Sequence, residues 1–92
     1  MVEKIIILTP LFNDAESLNT LLTNIKSSFH ELVATEFSVL VINDGSTEPV
    51  TVKPGFGLPI TIVNLQRNIG HQKAIAVGLA YIKENITCTK VL

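Results

Sequence analysis

The sequence predicts an α/β fold: a Rossmann-like parallel sheet with flanking helices, in the order β-α-β-loop-β-α-β. Three observations predict it. Ile5-Ile6-Ile7-Leu8, Val39-Leu40-Val41-Ile42 and Ile60-Thr61-Ile62-Val63 are short apolar runs, the pattern of strands buried on both faces. The segments between or after them carry helical periodicity. Each run also ends in a polar cluster: Thr9-Pro10-Leu11-Phe12-Asn13-Asp14, Asn43-Asp44-Gly45-Ser46 and Leu65-Gln66-Arg67-Asn68-Ile69-Gly70. In a parallel sheet all the carboxyl ends share one edge, where ligands bind, so the three clusters are expected to meet.

The first strand is expected from Lys4 to Thr9, because Pro10 cannot donate to a sheet ladder. Asn13 then has the place of a helix N-cap, with Glu16 in the capping-box position. Leu18, Leu21, Leu22, Ile25, Phe29 and Leu32 recur at helical spacing and predict a helix from about Asp14 to Val33. The second strand is Phe37 to Asn43, which completes a βαβ unit. Asp44-Gly45-Ser46 is a turn, and Thr47 to Pro59 is a loop rich in proline and glycine. The third strand is Ile60 to Leu65. The second helix runs from near Gly70 to near Asn85, with Ile75, Leu79, Ile82 and Ile86 as its apolar stripe. Gly78 is unfavourable inside a helix, and close approach to the sheet is its expected compensation. Lys90-Val91-Leu92 opens a fourth strand.

Ninety-two residues suit one small domain or part of a larger one. Apolar residues make up 47% and charged residues 16%, so the chain has material for a core and does not read as disordered. Net charge is -1, with seven basic and eight acidic side chains and no block of either sign. That leaves no electrostatic footprint for nucleic acid or anionic lipid. The lone cysteine, Cys88, has no internal disulfide partner and reads as a small buried hydrophobe. No apolar stretch approaches the roughly 20 residues of a membrane span, and the amino terminus lacks the shape of a signal peptide.

Asp44 is the sharpest candidate for chemistry. It follows an apolar strand at the binding edge, where a carboxylate accepts hydrogen bonds from a base or from ribose hydroxyls. Asp44-Gly45 is equally a common turn pair. Thr9 to Asn13 leaves the first strand beside it: Phe12 offers a flat apolar wall, or is a core aromatic next to a rigid turn. Arg67 to His71 leads into the second helix, where amides and a guanidinium suit an anion such as a diphosphate. The alternative there is that Asn68 caps the helix and Arg67 is solvated. No G-x-G-x-x-G and no P-loop motif is present. Nor is there a His/Cys cluster for zinc.

These blocks resemble the family 2 glycosyltransferases, enzymes of GT-A fold that use nucleotide-sugar donors. Ile7 to Asp14 is similar to the family's first strand and its Pro-x-Tyr/Phe-Asn-Glu turn, with Asp14 in place of the glutamate. Val41 to Thr47 is similar to its Asp-Asp-Gly-Ser-Thr segment, with Asn43 in place of the first aspartate. Arg67 to Ala74 is similar to its Arg-Asn-x-Gly-x-x-x-Ala helix start. The resemblance covers the chain apart from Glu48 to Pro59.

The resemblance implies that Thr9, Pro10, Phe12 and Asn13 line a nucleoside pocket. Asp44 would bind the base or ribose, with Ser46 nearby. Arg67, Gly70 and Lys73 would border the pyrophosphate or sugar. The chain is expected to be residues 1–92 of a single incomplete domain, the nucleotide-binding half of an enzyme that moves a sugar from a UDP- or GDP-sugar to an acceptor hydroxyl or lipid phosphate, with inversion. No catalytic residue and no metal ligand is expected within it. Mg²⁺ or Mn²⁺ would be held by residues beyond Leu92, and the catalytic base would come later still. The expected partners are the nucleotide-diphosphate sugar, an acceptor glycan or polyprenyl phosphate, and a second copy pairing through the incomplete sheet. The setting is cytoplasmic, with the full-length protein at the inner face of a membrane, in cell-wall or polysaccharide synthesis. A non-catalytic α/β interaction module and another nucleotide-sugar enzyme of similar fold are the competing readings.

Overall fold

The computed structural model describes residues 3–29, 35–48, 50–52, 57–86 and 90–92, with side-chain surroundings given for all of these except 3, 28, 29 and 35. The elements are β1 (Glu3–Leu11), α1 (Ala15–Phe29), β2 (Thr35–Asn43), β3 (Ile60–Asn64), α2 (His71–Asn85) and β4 (Lys90–Val91). The four strands form one sheet in the order β3-β2-β1-β4, and every neighbouring pair is parallel. This is the expected Rossmann-like α/β arrangement. The expected carboxyl end of α1, His30 to Val33, lies outside the described residues, as does Cys88.

β1 runs two residues past the expected end, through Pro10 to Leu11, paired with Ile42 and Asn43. The alternation of backbone groups explains why proline is tolerated. Odd-numbered positions face β2: the Leu11 carbonyl accepts the Asp44 N–H at 2.7 Å. Even-numbered positions face β4: the Leu8 N–H donates to the Leu92 carbonyl at 3.0 Å. Pro10 therefore presents its missing donor to the β4 side, and the β1–β2 ladder loses nothing.

The sheet is covered on both faces. On one, Ile7, Leu11, Phe37, Val39 and Val41 pack with Leu18, Leu22 and Ile25 of α1. On the other, Ile6, Leu40 and Ile42 pack with Ala74 and Ile82 of α2. Val39 to Ile42 are all buried, because successive side chains point into opposite cores. Asn19, on the polar side of α1 in sequence, is also buried. Its amide donates to the carbonyls of Ala15 and Thr51, both at 2.8 Å, and so ties the loop after β2 to the helix.

α2 meets the sheet differently from the sequence expectation. Its buried residues are Ala74, Gly78 and Ile82, whereas Ile75 and Leu79 are 38% and 48% exposed. The small residues face inward because the helix lies close to the strands. A Cβ on Gly78 would run into the Leu8 side chain and press on Ile42. The expected compensation for the helical glycine is therefore present, and it turns the larger residues away from the core.

Candidate functional site

The three strand-end clusters meet at one edge, as the parallel topology requires. Two sets of hydrogen bonds lock them together. The first joins the ends of β1 and β2 through Asn13, which has a positive φ of 50°. Its Oδ1 accepts the N–H groups of Thr47 and Glu48 at 2.8 and 3.0 Å. Its own N–H donates to Ser46 Oγ at 2.9 Å, and its Nδ2 donates to Thr47 Oγ1 at 3.1 Å. Asn13 is thus a clasp between two loops and does not cap α1. That role falls to Asp14, whose Oδ1 accepts the Ser17 N–H at 3.1 Å. The hydroxyl and then the amide of Ser17 hold the Asp14 carboxyl below the usual carboxylate range.

The second set joins the ends of β2 and β3 to the start of α2. Asp44 is fully buried. One carboxylate oxygen accepts the Ile69 N–H at 2.8 Å and the other accepts the Gly70 N–H at 3.1 Å. Asn68 Nδ2 donates to the Asp44 carbonyl at 3.2 Å. A buried carboxylate survives only when its oxygens are well supplied with donors, and here the backbone of the following loop supplies them. The neighbouring Gly45 has a φ of 69°, and a Cβ there would collide with the backbone of Arg67 and Asn68. Glycine is required twice over, by the left-handed turn and by the loop lying against it. Asn43 adds a brace: its Oδ1 accepts the Ser46 N–H at 3.2 Å, and its Nδ2 donates to Asn64 Oδ1 at 2.9 Å. Among the described residues no buried side-chain nitrogen or oxygen lacks a partner.

Beside this edge lies a cleft of about 310 Å³, lined among others by Thr9, Pro10, Phe12, Asp14, Leu21 and His71. It gathers part of what the sequence indicated. Thr9, Pro10 and Phe12 line it, and Phe12 is exposed there. Asn13 and Ser46 sit next to it in the inter-loop clasp, and Asp44 lies beneath the surface. Arg67, Gly70 and Lys73 are exposed at the β3–α2 junction and do not line this cleft. Leu11, Asp14, His71 and the α1 residues Ser17, Leu18 and Leu21 are the additions. His71 was legible as the residue after Gly70. The α1 contribution was hidden, because it depends on how that helix lies across the end of β1.

The lining is a mixture of aromatic, aliphatic, hydroxyl, carboxylate and imidazole groups. Apolar side chains together with a few polar groups are the makeup of small-molecule clefts. Among the described residues no three His, Cys, Asp or Glu side chains gather as metal ligands would. Among them also, no helix is long and apolar enough to cross a membrane.

No family model matches the chain. The chain is 27% identical over 93 aligned positions to the undecaprenyl-phosphate 4-deoxy-4-formamido-L-arabinose transferase of Sodalis glossinidius (strain morsitans). That alignment takes in 96% of this chain and 28% of the relative, so the chain spans under a third of the length of the protein it matches. An α/β unit whose loops are braced at one sheet edge is thereby a distant relative of a glycosyltransferase-type enzyme.

Proposed function

We propose that the chain is the donor-nucleotide side of a glycosyltransferase, one that moves a sugar from a UDP- or GDP-sugar to an acceptor hydroxyl or a polyprenyl phosphate. The observation that carries this reading is the convergence of the three strand-end loops beside a cleft lined by Thr9, Pro10 and Phe12. A base stacked on Phe12 would take the apolar wall. Its diphosphate would then run toward the exposed Arg67 and Lys73, whose charges suit it. The relative's name supports both the transferase reading and the polyprenyl-phosphate acceptor.

The domain would belong to a larger enzyme, as its coverage of the relative suggests. A catalytic base and a divalent ion on the diphosphate are proposed for that enzyme outside this chain. What this chain does in the reaction is hold the donor: it orients the nucleoside and leaves the sugar carbon open to attack with inversion.

Titration of the chain with UDP and with GDP, followed by amide NMR, tests the reading. Binding is expected to shift the amides of Thr9, Phe12 and His71. Silence at all three at millimolar nucleotide would remove the proposal.

A further inference from the structure

We propose that Asn13 is a positioning residue for the nucleotide: its clasp on the loop after β2 sets where Phe12 and Asp14 stand in the cleft. The proposal rests on the nucleotide-binding reading and assigns one residue's part in it. Three observations carry it. Phe12 and Asp14, on either side of Asn13, both line the cleft, whereas Asn13 does not. Phe12 is 40% exposed, so core packing does not hold its ring, and the ring follows the backbone that carries it. That backbone is fixed at Asn13, whose φ of 50° lies in the left-handed region that asparagine tolerates better than most residues.

The main chain and the side chain of Asn13 both grip a segment 33 to 35 residues away. Its N–H donates to Ser46 Oγ, its Oδ1 accepts the N–H groups of Thr47 and Glu48, and its Nδ2 donates to Thr47 Oγ1. The side-chain bonds lie at exposed positions, so their share of global stability is modest. Their effect is on geometry. Asp14 begins α1 as its cap, so the clasp fixes the aromatic wall and the start of the helix on one frame before a ligand arrives. A preformed wall lowers the ordering cost of binding. Because Asn13 acts on the wall and not on base edges, it should support uracil and guanine nucleotides alike.

The test uses the whole chain, UDP and GDP, and four variants, each first checked for an intact sheet by its amide spectrum. Asn13→Gly keeps the left-handed backbone and deletes the side-chain bonds. Its affinity for both nucleotides is expected to fall by a common factor, on the order of tenfold. Nuclear Overhauser contacts between the Phe12 ring and the base protons, expected in the unmodified protein, should weaken with it. Asn13→Asp keeps Oδ1 for the Thr47 and Glu48 amides. It should recover affinity to within about threefold at an ionic strength of about 0.15 M, where an exposed charge is screened. Thr47→Ala removes one partner from the other side of the clasp and should weaken both nucleotides by roughly threefold. Ile82→Val, a core change in α2, lowers stability without touching the clasp and should leave both affinities unchanged. Unchanged affinity in Asn13→Gly, or in Thr47→Ala should the glycine variant not fold, would overturn the proposal. So would a loss confined to one base, an Asn13→Asp as weak as Asn13→Gly, or an equal loss in Ile82→Val. If neither nucleotide binds the unmodified chain, the proposed function falls and this proposal with it. Binding by the unmodified chain with no loss in the clasp variants sinks this proposal alone.

Discussion

Asp44 carries more of the structure than a turn residue does. Replacing it by alanine would leave two partly buried N–H groups without their acceptor, at about 1–3 kcal/mol each. Asp44→Ala is therefore expected to cost about 2–5 kcal/mol in urea unfolding, a large share of a small domain's stability. Gly45 is the companion case. Gly45→Ala places a methyl group against the Arg67–Asn68 backbone at a positive φ, and a loss of about 1–3 kcal/mol is expected in the same measurement. In the sequence Asp44 stood out by position, at the end of an apolar strand. Its orientation was not legible, because the donors that claim it lie 25 and 26 residues downstream. Local pattern does not report which distant amides will need an acceptor.

The helices show where periodicity succeeds and where it misleads. Leu18, Leu22 and Ile25 of α1 are buried as their spacing predicts, because a helix with large apolar residues on one side has one way to hide them. α2 carries Ile75 and Leu79 on one side and Ala74 and Gly78 on another, and the small side wins. Its backbone comes so close to β1 and β2 that only residues of that size fit. Gly78→Val is expected to destabilise by about 1–3 kcal/mol through overpacking. Leu79→Lys should change stability by less than about 0.5 kcal/mol, as at an ordinary exposed site. Chemical denaturation of the pair checks both, and a large loss in Leu79→Lys would restore the stripe read from sequence. At the start of α1 the cap is Asp14, one residue later than expected, since Asn13 is engaged across the loops. The Asp14 carboxyl binds its proton less readily in the folded state. Its contribution is then complete above the ordinary carboxylate value of about 3.9. It is lost as pH falls through the lower folded value. Thermal melts of the wild type and of Asp14→Ala should differ at neutral pH and converge in acid.

The molecule as a whole is a sheet between two cores, with its loops braced at one edge. The α1 and α2 cores share the sheet but not their side chains. Leu22→Ala, in the first, is expected to cost about 2–5 kcal/mol, and Ile82→Val, in the second, about 0.5–1.5 kcal/mol. The double variant should be additive within about 0.5 kcal/mol. Strong coupling would mean that the sheet transmits strain between its faces. The two cores also explain why the strands read as unbroken apolar runs, the feature from which the fold was legible.

By itself the sequence determined the order of elements, the parallel sheet and the shared edge at which the ends of β1, β2 and β3 lie. Those follow from hydrophobic period and from the topology that a βαβ chain is obliged to adopt. Only the tertiary structure decided which way each edge residue turns. It put Thr9, Pro10 and Phe12 at the cleft, spent Asn13 and Asp44 on tying loops together, and brought His71 in from α2. The physical reason is that every buried donor and acceptor must find a partner, and at this edge the partners come from segments far apart in the chain.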